Sequence, residues 1–479
     1  MENKEKLLFQ KRLGSPRSLG TSSLGTRTLG IWGFGLTGKS LLRFFSKNYP
    51  QCTLAICART ISSEDRKLIE STANVRVIAE SQLHEFFEFC DLIVPSPGID
   101  LRPYLGQYGD KLISEIDVFS AHWTGHVIAL TGSLGKTSTV HIIQQMLTRY
   151  GYAAHLAGNV GFPLLDLVAA HNAPDQWAVL ELSSFQLDQC KVPLNLDAGI
   201  ITCIVPNHLD RHNSLGEYRA AKYKLFNDIM PHATAIIPLE QKQNLSDTPL
   251  ATHEKIIFCT TNADAANAGG GTICSYNQRS REITHLDHTT QRILGNLPAS
   301  ACSYPENWLI VYALLDALGI DTCTITDHTV ALPHHRVALI RTINGVDWYN
   351  DSKSTVMDAT LAAINKLAPC YTKIILLLGG TSKGVDRTAQ IALLANYNVH
   401  VICFGKEHEF LATACMHAQI KNTPCATLDH AAAIAQEIAA PGDAVLLSPG
   451  GASFDLFANY EARGSAFIEM VKDIMAQDT

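Results

Sequence analysis

From Gly30 onward, short continuous apolar runs alternate with stretches whose apolar positions return every three or four residues. IWGFG, CTLAICA, VRVIA and DLIVPSPG read as strands, and TGKSLLRFFSKN, EDRKLIEST and SQLHEFFEFC between them have the period of amphipathic helices. Strands that are apolar at nearly every position are buried on both faces, which predicts a parallel sheet covered by helices. The pattern breaks at SAHWTGH, residues 120–126, and restarts with the strand HVIALTG. A second block follows, with the helix KTSTVHIIQQMLTRY, the strands AVLELSS and AGIITCIVP, the helix LGEYRAAKYKLF and the apolar helix NWLIVYALLDALG. After TVALPHHR the pattern changes to ALIRTINGVDWYN, whose Asn344-Gly345 pair between alternating runs predicts a hairpin. KIILLLGG, VHVICFG and DAVLLSPG then alternate with helices to the end. The predicted fold class is α/β in three domains, residues 30–121, 122–331 and 332–479, each a mostly parallel sheet flanked by helices.

A chain of 479 residues is too long for one core, in keeping with this division. Residues 1–29 stand outside the pattern: they are basic, rich in Gly, Ser and Thr, and repeat Ser-Leu-Gly at 18–20 and 23–25. They are expected to be a flexible tail. The alternative, an organellar transit peptide, is opposed by Glu2, Glu5 and weak amphipathicity.

Charge and cysteine content narrow the partners. A formal net charge of -7 gives no global basic field, so nucleic acid is not an expected partner, whereas small anions remain open to local sites. No apolar run reaches the roughly 18 residues that span a bilayer, and no membrane association is expected. Thirteen cysteines without a C-x-x-C pair indicate neither a disulfide framework nor a cysteine zinc site. A reducing cytoplasm is the expected location.

Two loops compete for a nucleotide. GFGLTGKS, from Gly33 to Ser40, fits both the phosphate-cradling G-x-x-x-x-G-K-[ST] pattern and the dinucleotide G-x-G-x-x-G pattern. TGSLGKTST, from Thr131 to Thr139, fits the first pattern less well, because Leu130 occupies the place of its leading glycine. Both follow a strand and open a helix, where unpaired N–H groups and a partial positive charge favour phosphate. In TGSLGKTST, Lys136 would neutralise phosphate oxygens and Thr137 would offer its hydroxyl to Mg²⁺. GFGLTGKS lacks the acidic residue that a dinucleotide site places about 20 positions on, since the next strand ends in Cys57-Ala58-Arg59 and the first acid is Glu64. It is therefore expected to be a diphosphate cradle rather than an NAD site.

Other polar residues admit plain structural readings. Glu181 ends an apolar strand, where a carboxylate needs a hydrogen bond or a cation. His208 in VPNHLDRH is one of 19 histidines, and Lys222, with Arg219 and Lys224 on the same helix, reads by default as part of a solvated basic face. NDSKST (350–355) and LGGTSKG (378–384) follow strands of the third domain, where ligands of open α/β sheets bind.

Taken in order, these stretches resemble the Mur ligases, and within them the D-glutamate-adding branch. The resemblance runs from about Gly30 to the C-terminus through GLTG (35–38), SPGI (96–99), TGSLGKTST, GNVG (158–161), ELSSFQL (181–187), NHLDRH (207–212), YRAAK (218–222), NDSKST, LLGGTSKG (377–384) and SPGGASFDLFANYEARG (448–464). It implies Rossmann-like terminal domains, for the UDP-sugar and the amino acid, around a P-loop-like central ATPase domain. It also implies a cytoplasmic, monomeric enzyme that uses ATP and two Mg²⁺ ions to join D-glutamate to UDP-N-acetylmuramoyl-L-alanine through an acyl phosphate.

Residue by residue, the resemblance gives GFGLTGKS to the UDP-sugar, through Leu36, Thr37 and Gly38, with Ser96, Gly98, Asn159, Ser183 and Gln186 also near that substrate. TGSLGKTST becomes the ATP loop, through Gly132, Ser133, Gly135, Lys136, Thr137 and Ser138, with Asn307, Arg336 and Asp351 at nucleotide positions. Thr137, Glu181 and His208 are implied metal ligands, and Lys222 corresponds to a lysine carbamylated in the family. Lys353 would add positive charge at the reaction centre, and Thr355, Lys383, Ser453, Phe454 and Tyr460 would hold D-glutamate. Lys136, His208, Lys222 and Lys353 are thus the implied catalytic residues.

Several positions depart from the family's pattern. Leu134 stands where asparagine is usual, Asn207 where aspartate is common, Ser303-Tyr304 in place of His-Asn, and Val356 where asparagine usually follows the threonine of NDSKST. The acid that would contact uracil is replaced by Cys57 or Ala58. Because Lys136, Glu181, His208 and Lys222 are kept, an active enzyme with altered nucleotide affinity is expected. The alternatives are a sister ligase that adds another amino acid and a non-catalytic ligase fold retained as a binding module.

Overall fold

The computed structural model describes residues 28–262, 271–287, 290–298, 305–331, 336–382 and 385–476. Most of the expected flexible tail, together with Ser303, Tyr304 and Lys383, lies outside the described residues. The fold is α/β, with mostly parallel sheets flanked by helices.

The first sheet contains β1 (Thr28–Trp32), β2 (Thr53–Ala58), β3 (Val75–Ala79) and β4 (Leu92–Pro95) in the order β3-β2-β1-β4, all parallel. The second contains β5 (His126–Thr131), β6 (Ala153–Gly158), β7 (Gln176–Glu181), β8 (Ala198–Ile201), β9 (Thr234–Pro238), β10 (Ile256–Thr260), β11 (Thr272–Tyr276), β12 (Glu282–Asp287) and β13 (Thr290–Asn296). Its order is β13-β12-β11-β10-β9-β8-β5-β7-β6, parallel from β6 to β11 and antiparallel over β11, β12 and β13. That antiparallel end was not legible in the hydropathy pattern, because strands such as TQRILGN are mostly exposed and polar.

The third sheet contains β14 (Ala338–Ile343), β15 (Val346–Asn350), β16 (Ile374–Gly379), β17 (Val399–Phe404), β18 (Asn422–Pro424) and β19 (Ala444–Leu447) in the order β14-β15-β19-β16-β17-β18. Only the β14/β15 pair is antiparallel. Its turn is the predicted Asn344-Gly345, with φ of 50° and 75°, and Ile343 pairs with Val346 across it. Two consecutive left-handed residues match the twist of the flanking strands.

The chain divides into two compact units, Met1–Ile204 with Arg219–Ala331, and Val205–Tyr218 with Leu332–Thr479. In the first unit one hydrophobic core joins both sheets: Ile31, Phe45 and Ile56 belong to the same buried cluster as Ala129, Leu180, Leu187 and Phe226. Full burial of such a Phe, Ile or Leu side chain stabilises the fold by roughly 1.5–3 kcal/mol. A second cluster covers the other face of the large sheet, where the helix Pro305–Ala317 is buried continuously from Asn307 to Leu315. This all-round burial explains why that helix is apolar on every side. The second unit has its own core, built on Trp348, Leu377, Ile402, Leu447 and Phe467. Among the described residues, no helix is long and apolar enough to cross a membrane.

Candidate functional site

All three polar loop systems leave the carboxyl ends of central parallel strands, where backbone groups are no longer used by the ladder and side chains converge. TGSLGKTST follows β5, which lies between β8 and β7. GFGLTGKS follows β1, between β2 and β4, and NDSKST, GGTSK and SPGG follow β15, β16 and β19.

The two glycine-lysine loops differ in where the helix begins. After TGSLG the helix is Lys136–Arg149, capped by Gly135 in the left-handed region at φ 79°. Lys136 is thus its first residue, and its Nζ donates back to the carbonyl oxygens of Gly132 at 2.8 Å and Ser133 at 3.2 Å. Gly132, at φ 148°, packs so closely that a Cβ there would lie 2.0 Å from Thr202 Oγ1. A Cβ on Gly135 would lie 2.8 Å from Oδ1 of Asn307, which brings that predicted nucleotide residue against the loop. Thr137 and Ser138 are buried in the first turn.

In GFGLTGKS the helix Leu36–Asn48 starts three residues before the lysine, so Lys39 projects from the side of its first turn and pairs with Asp65 at 2.6 Å. That pairing holds the Asp65 carboxyl below its usual range. The loop's backbone is nonetheless a tight cradle. Gly33 sits at φ 94° with Ser96 Oγ 2.4 Å from where a Cβ would be, and a Cβ on Gly38 would lie 2.3 Å from the Gly33 carbonyl oxygen. Leu36 is exposed, and Thr37 is partly so. Ser96, predicted for the same substrate, donates its N–H to Trp32 at 2.7 Å. Gly98, of the same SPGI turn, is exposed.

Lys222 overturns its default reading as a solvated basic residue. It is only 1 % exposed, because the helix Leu215–Tyr223 turns Tyr218, Ala221, Lys222 and Tyr223 inward. Its Nζ donates to the Gly132 carbonyl at 2.8 Å and lies 3.5 Å from Thr131 Oγ1. Lys136 and Lys222 therefore meet on one oxygen. Burial first, and the Lys136 charge second, push the Lys222 ammonium well below the ordinary lysine value, which makes its proton easier to lose than that of an exposed lysine.

Glu181 ends β7 beside this loop and is 1 % exposed, with Oε1 accepting from Asn159 Nδ2 at 2.7 Å. Ser183 and Gln186 form a capping box at the next helix, Ser184–Gln189: Ser183 Oγ accepts from the Gln186 N–H, and Gln186 Oε1 accepts from the Ser183 N–H and hydroxyl. This local duty explains their spacing of three without reference to a ligand. Among the described residues, no group of three or more His, Cys, Asp or Glu could by itself hold a metal ion.

The other predicted residues fall in the second unit. His208 has a left-handed backbone at φ 55°. Asp351 is fully internal: its carboxylate accepts from the Val337 N–H at 3.2 Å, from Ser448 Oγ at 2.8 Å and from Ser354 Oγ. Burial raises its carboxyl to about 6, against those hydrogen bonds and the Arg336 charge, which lower it. Lys353 Nζ lies 3.8 Å over the Tyr460 ring, a cation–π contact. Ser453 is buried, Thr355 is partly exposed and Phe454 is 75 % exposed. Val356 caps the helix Met357–Leu367 with no side-chain hydrogen bond.

Two arginines escaped the sequence reading. Arg387, 2 % exposed, donates to the carbonyls of Gly379, Gly380 and Gly450 and to Glu407 Oε2 at 2.5 Å, while Glu407 Oε1 accepts from the Ser382 N–H. It thereby fixes the glycine loops after β16 and β19 against each other. Arg463, 1 % exposed, holds Ser352 and Gly451, and burial lowers its guanidinium to about 10. The only sequence signal was an arginine close to glycine in KGVDR and EARG.

Residues 130–312 match the Mur ligase middle domain, and residues 335–451 match the Mur ligase, glutamate ligase domain. The chain is 30% identical over 453 residues to the UDP-N-acetylmuramoylalanine--D-glutamate ligase of Vibrio cholerae, covering 92% of this chain and 96% of the relative. It is 31% identical over 454 residues to the enzyme of that name from Buchnera aphidicola, covering 92% and 97%. Among solved structures, MurF from Acinetobacter baumannii superposes with a TM-score of 0.58 at 17% identity over 97% of this chain and 98% of that one, a likeness of fold. The order of the two matched regions and the near full-length similarity together place the chain in the Mur ligase family of ATP-dependent ligases.

Proposed function

We propose that this ATP-dependent ligase of peptidoglycan precursor synthesis adds D-glutamate to UDP-N-acetylmuramoyl-L-alanine in the cytoplasm, acting as a monomer. The observation that carries the reading is the phosphate loop on β5, where Lys136 as first helical residue and the buried Lys222 share the carbonyl of Gly132. Similarity along nearly the whole chain to ligases named for D-glutamate supports the choice of amine.

In the reaction, an oxygen of the alanyl carboxylate attacks the γ-phosphorus of ATP and the bond to the β-phosphate oxygen breaks, releasing ADP. The D-glutamate nitrogen then attacks the acyl carbon, loses a proton, and inorganic phosphate leaves. Lys136 and the helix N-terminus it opens would neutralise the phosphates during the first step. Gly132, Ser133, Gly135, Thr137 and Ser138 would line the nucleotide phosphates, with Asn307 and Arg336 at the rest of the nucleotide. Asp351 would act there by holding Val337 and Ser354, since its own oxygens are engaged.

The donor set fits Mg²⁺ better than a caged metal. Glu181, Thr137, His208 and a carbamylated Lys222 are the protein ligands we assign, and phosphate and water would complete a hard cation's shell. When bound, Mg²⁺ would supply charge neutralisation at the phosphates. A neutral buried amine at Lys222 is the form that adds CO₂, and the resulting carbamate would face Lys136 with opposite charge.

Residues 30–121 are assigned to the UDP-sugar through Leu36, Thr37, Gly38, Ser96, Gly98, Asn159, Ser183 and Gln186, the last three from the central region 122–331. Residues 332–479 are assigned to D-glutamate through Thr355, Lys383, Ser453, Phe454 and Tyr460, with Lys353 adding charge. The test is ATP-dependent phosphate release with UDP-N-acetylmuramoyl-L-alanine and a panel of amines: D-glutamate, L-alanine, L-lysine and diaminopimelate. Turnover with D-glutamate alone is expected. Preference for another amine, or ATP hydrolysis without amine dependence, would reject the reading.

A further inference from the structure

The predicted strand AGIITCIVP ends early. β8 stops at Ile201, and beyond it the side chains of Thr202 and Cys203 bind the loop that follows β5. Thr202 Oγ1 donates to the carbonyl oxygen of Leu134 at 2.5 Å, and Cys203 Sγ accepts from the Leu134 N–H at 3.3 Å. The Ser133 N–H donates to the Cys203 carbonyl at 2.8 Å, and the Thr202 N–H donates to Thr131 at 3.0 Å. Thr202 also packs against Gly132, whose missing Cβ leaves room for its hydroxyl, and its Cβ lies 3.9 Å from where a Cβ on Gly135 would be. Two adjacent side chains therefore hold both main-chain groups of the residue at the loop's tip.

That residue is Leu134, which has no polar side chain with which to brace the loop. Ser133 and Leu134 turn their N–H groups toward Cys203, so phosphate recognition falls to the first N–H groups of the helix that starts at Lys136. Those donors keep their direction only if the preceding residues are fixed. A loop free to flex would pay the ordering cost on each binding event.

We propose that Thr202 and Cys203 are positioning residues for the ATP phosphates, bracing the loop tip at Leu134 from the end of β8. The proposal rests on the assignment of TGSLGKTST to ATP and not on the identity of the amine. Neither residue needs to touch the nucleotide.

The experiment is calorimetric binding of ADP and, separately, of UDP-N-acetylmuramoyl-L-alanine to the full chain carrying Thr202→Val, Thr202→Ser or Cys203→Ala. Loss of one neutral hydrogen bond to the loop corresponds to roughly a five- to tenfold change in affinity. Thr202→Val is expected to weaken ADP binding by about that factor and Cys203→Ala by about threefold, with UDP-substrate affinity changed less than about twofold. Thr202→Ser, which keeps the hydroxyl, should bind ADP like the parent. ADP affinity of both Thr202→Val and Cys203→Ala within twofold of the parent overturns the proposal, and so does equal weakening toward both ligands. If Thr202→Val does not fold, Cys203→Ala decides alone by the same criteria. ADP binding does not depend on the amine, so the expected pattern in a protein that turns over a different amino acid would reject the glutamate reading and leave this one standing.

Discussion

Replacing Lys222 tests whether a buried cation or a carbamate occupies the floor of the phosphate loop. Nζ of Lys222 and of Lys136 each lie 2.8 Å from the Gly132 oxygen, so the two nitrogens are separated by at most twice that distance, about 5.6 Å. Were both protonated, the two charges would repel by about 3 kcal/mol at an effective dielectric constant of about 20, the second of the two causes that lower the Lys222 value. A carbamate on Lys222 would turn this into an attraction of similar size, a swing of about 6 kcal/mol. Lys222→Met removes the costly buried amine and keeps the side-chain volume, so we expect a protein that is more stable by about 1–4 kcal/mol and slower by roughly a hundredfold or more.

The pH dependence has a definite sign. The folded Lys222 titrates below its unfolded value, so between the two the unfolded chain carries a proton that the native chain lacks. Stability of the unmodified enzyme should therefore rise with pH through that window, toward the ordinary lysine value, and Lys222→Met should lose the slope. Thermal unfolding in CO₂-free buffer reads the stability, and phosphate release with and without bicarbonate reads the activity. Bicarbonate should activate the parent, and short carboxylic acids should partly restore a Lys222→Ala variant. Full activity of the alanine variant in CO₂-free buffer would refute the reasoning.

Other sites give independent expectations. Lys136→Ala should lower kcat/KM by about a thousandfold while leaving the melting temperature within a few degrees, since its contacts are to loop carbonyls; turnover within a few-fold of the parent would exclude its role at the phosphates. Asp351, raised to about 6, stabilises the fold fully below its unfolded value near 4, and that contribution of about 3 kcal/mol is lost as pH rises through 6; Asp351→Asn should flatten the unfolding midpoint between pH 4 and 7. An unchanged slope would assign the pH dependence to other groups. Arg387→Lys cannot reproduce a guanidinium that reaches three carbonyls and Glu407, and should raise the KM for D-glutamate about tenfold with little change in that for ATP; equal effects on both would mean general loss of packing.

The sequence alone determined what depends on local order. Short, fully buried runs such as IILLLG and VHVICF have no polar face and are too short for the apolar helix seen at Pro305–Ala317, so they read as interior strands of a covered parallel sheet. Asn344-Gly345 prescribes its own turn, and a glycine-rich stretch between such a strand and a helix marks a loop able to take an anion. Which of two similar loops directs its lysine at its own backbone was decided by helix phase: Lys136 is the first helical residue, while Lys39 is the fourth and meets Asp65.

Tertiary structure decided the electrostatics, because burial and charge proximity depend on neighbours far along the chain. Lys222 in YRAAKYK looks solvated until its helix is packed on β5, 91 residues earlier, where its amine meets Thr131 and Gly132. Arg387 becomes a clamp only when Gly450, 63 residues later, arrives beside Gly379. Thr202 and Cys203 read as two more residues of an apolar strand, and only the arrival of Leu134, 68 residues before Thr202, gives their side chains a partner in the loop after β5. Periodicity records which face of an element is apolar, but carries no record of which polar group will be waiting at the end of the neighbouring strand.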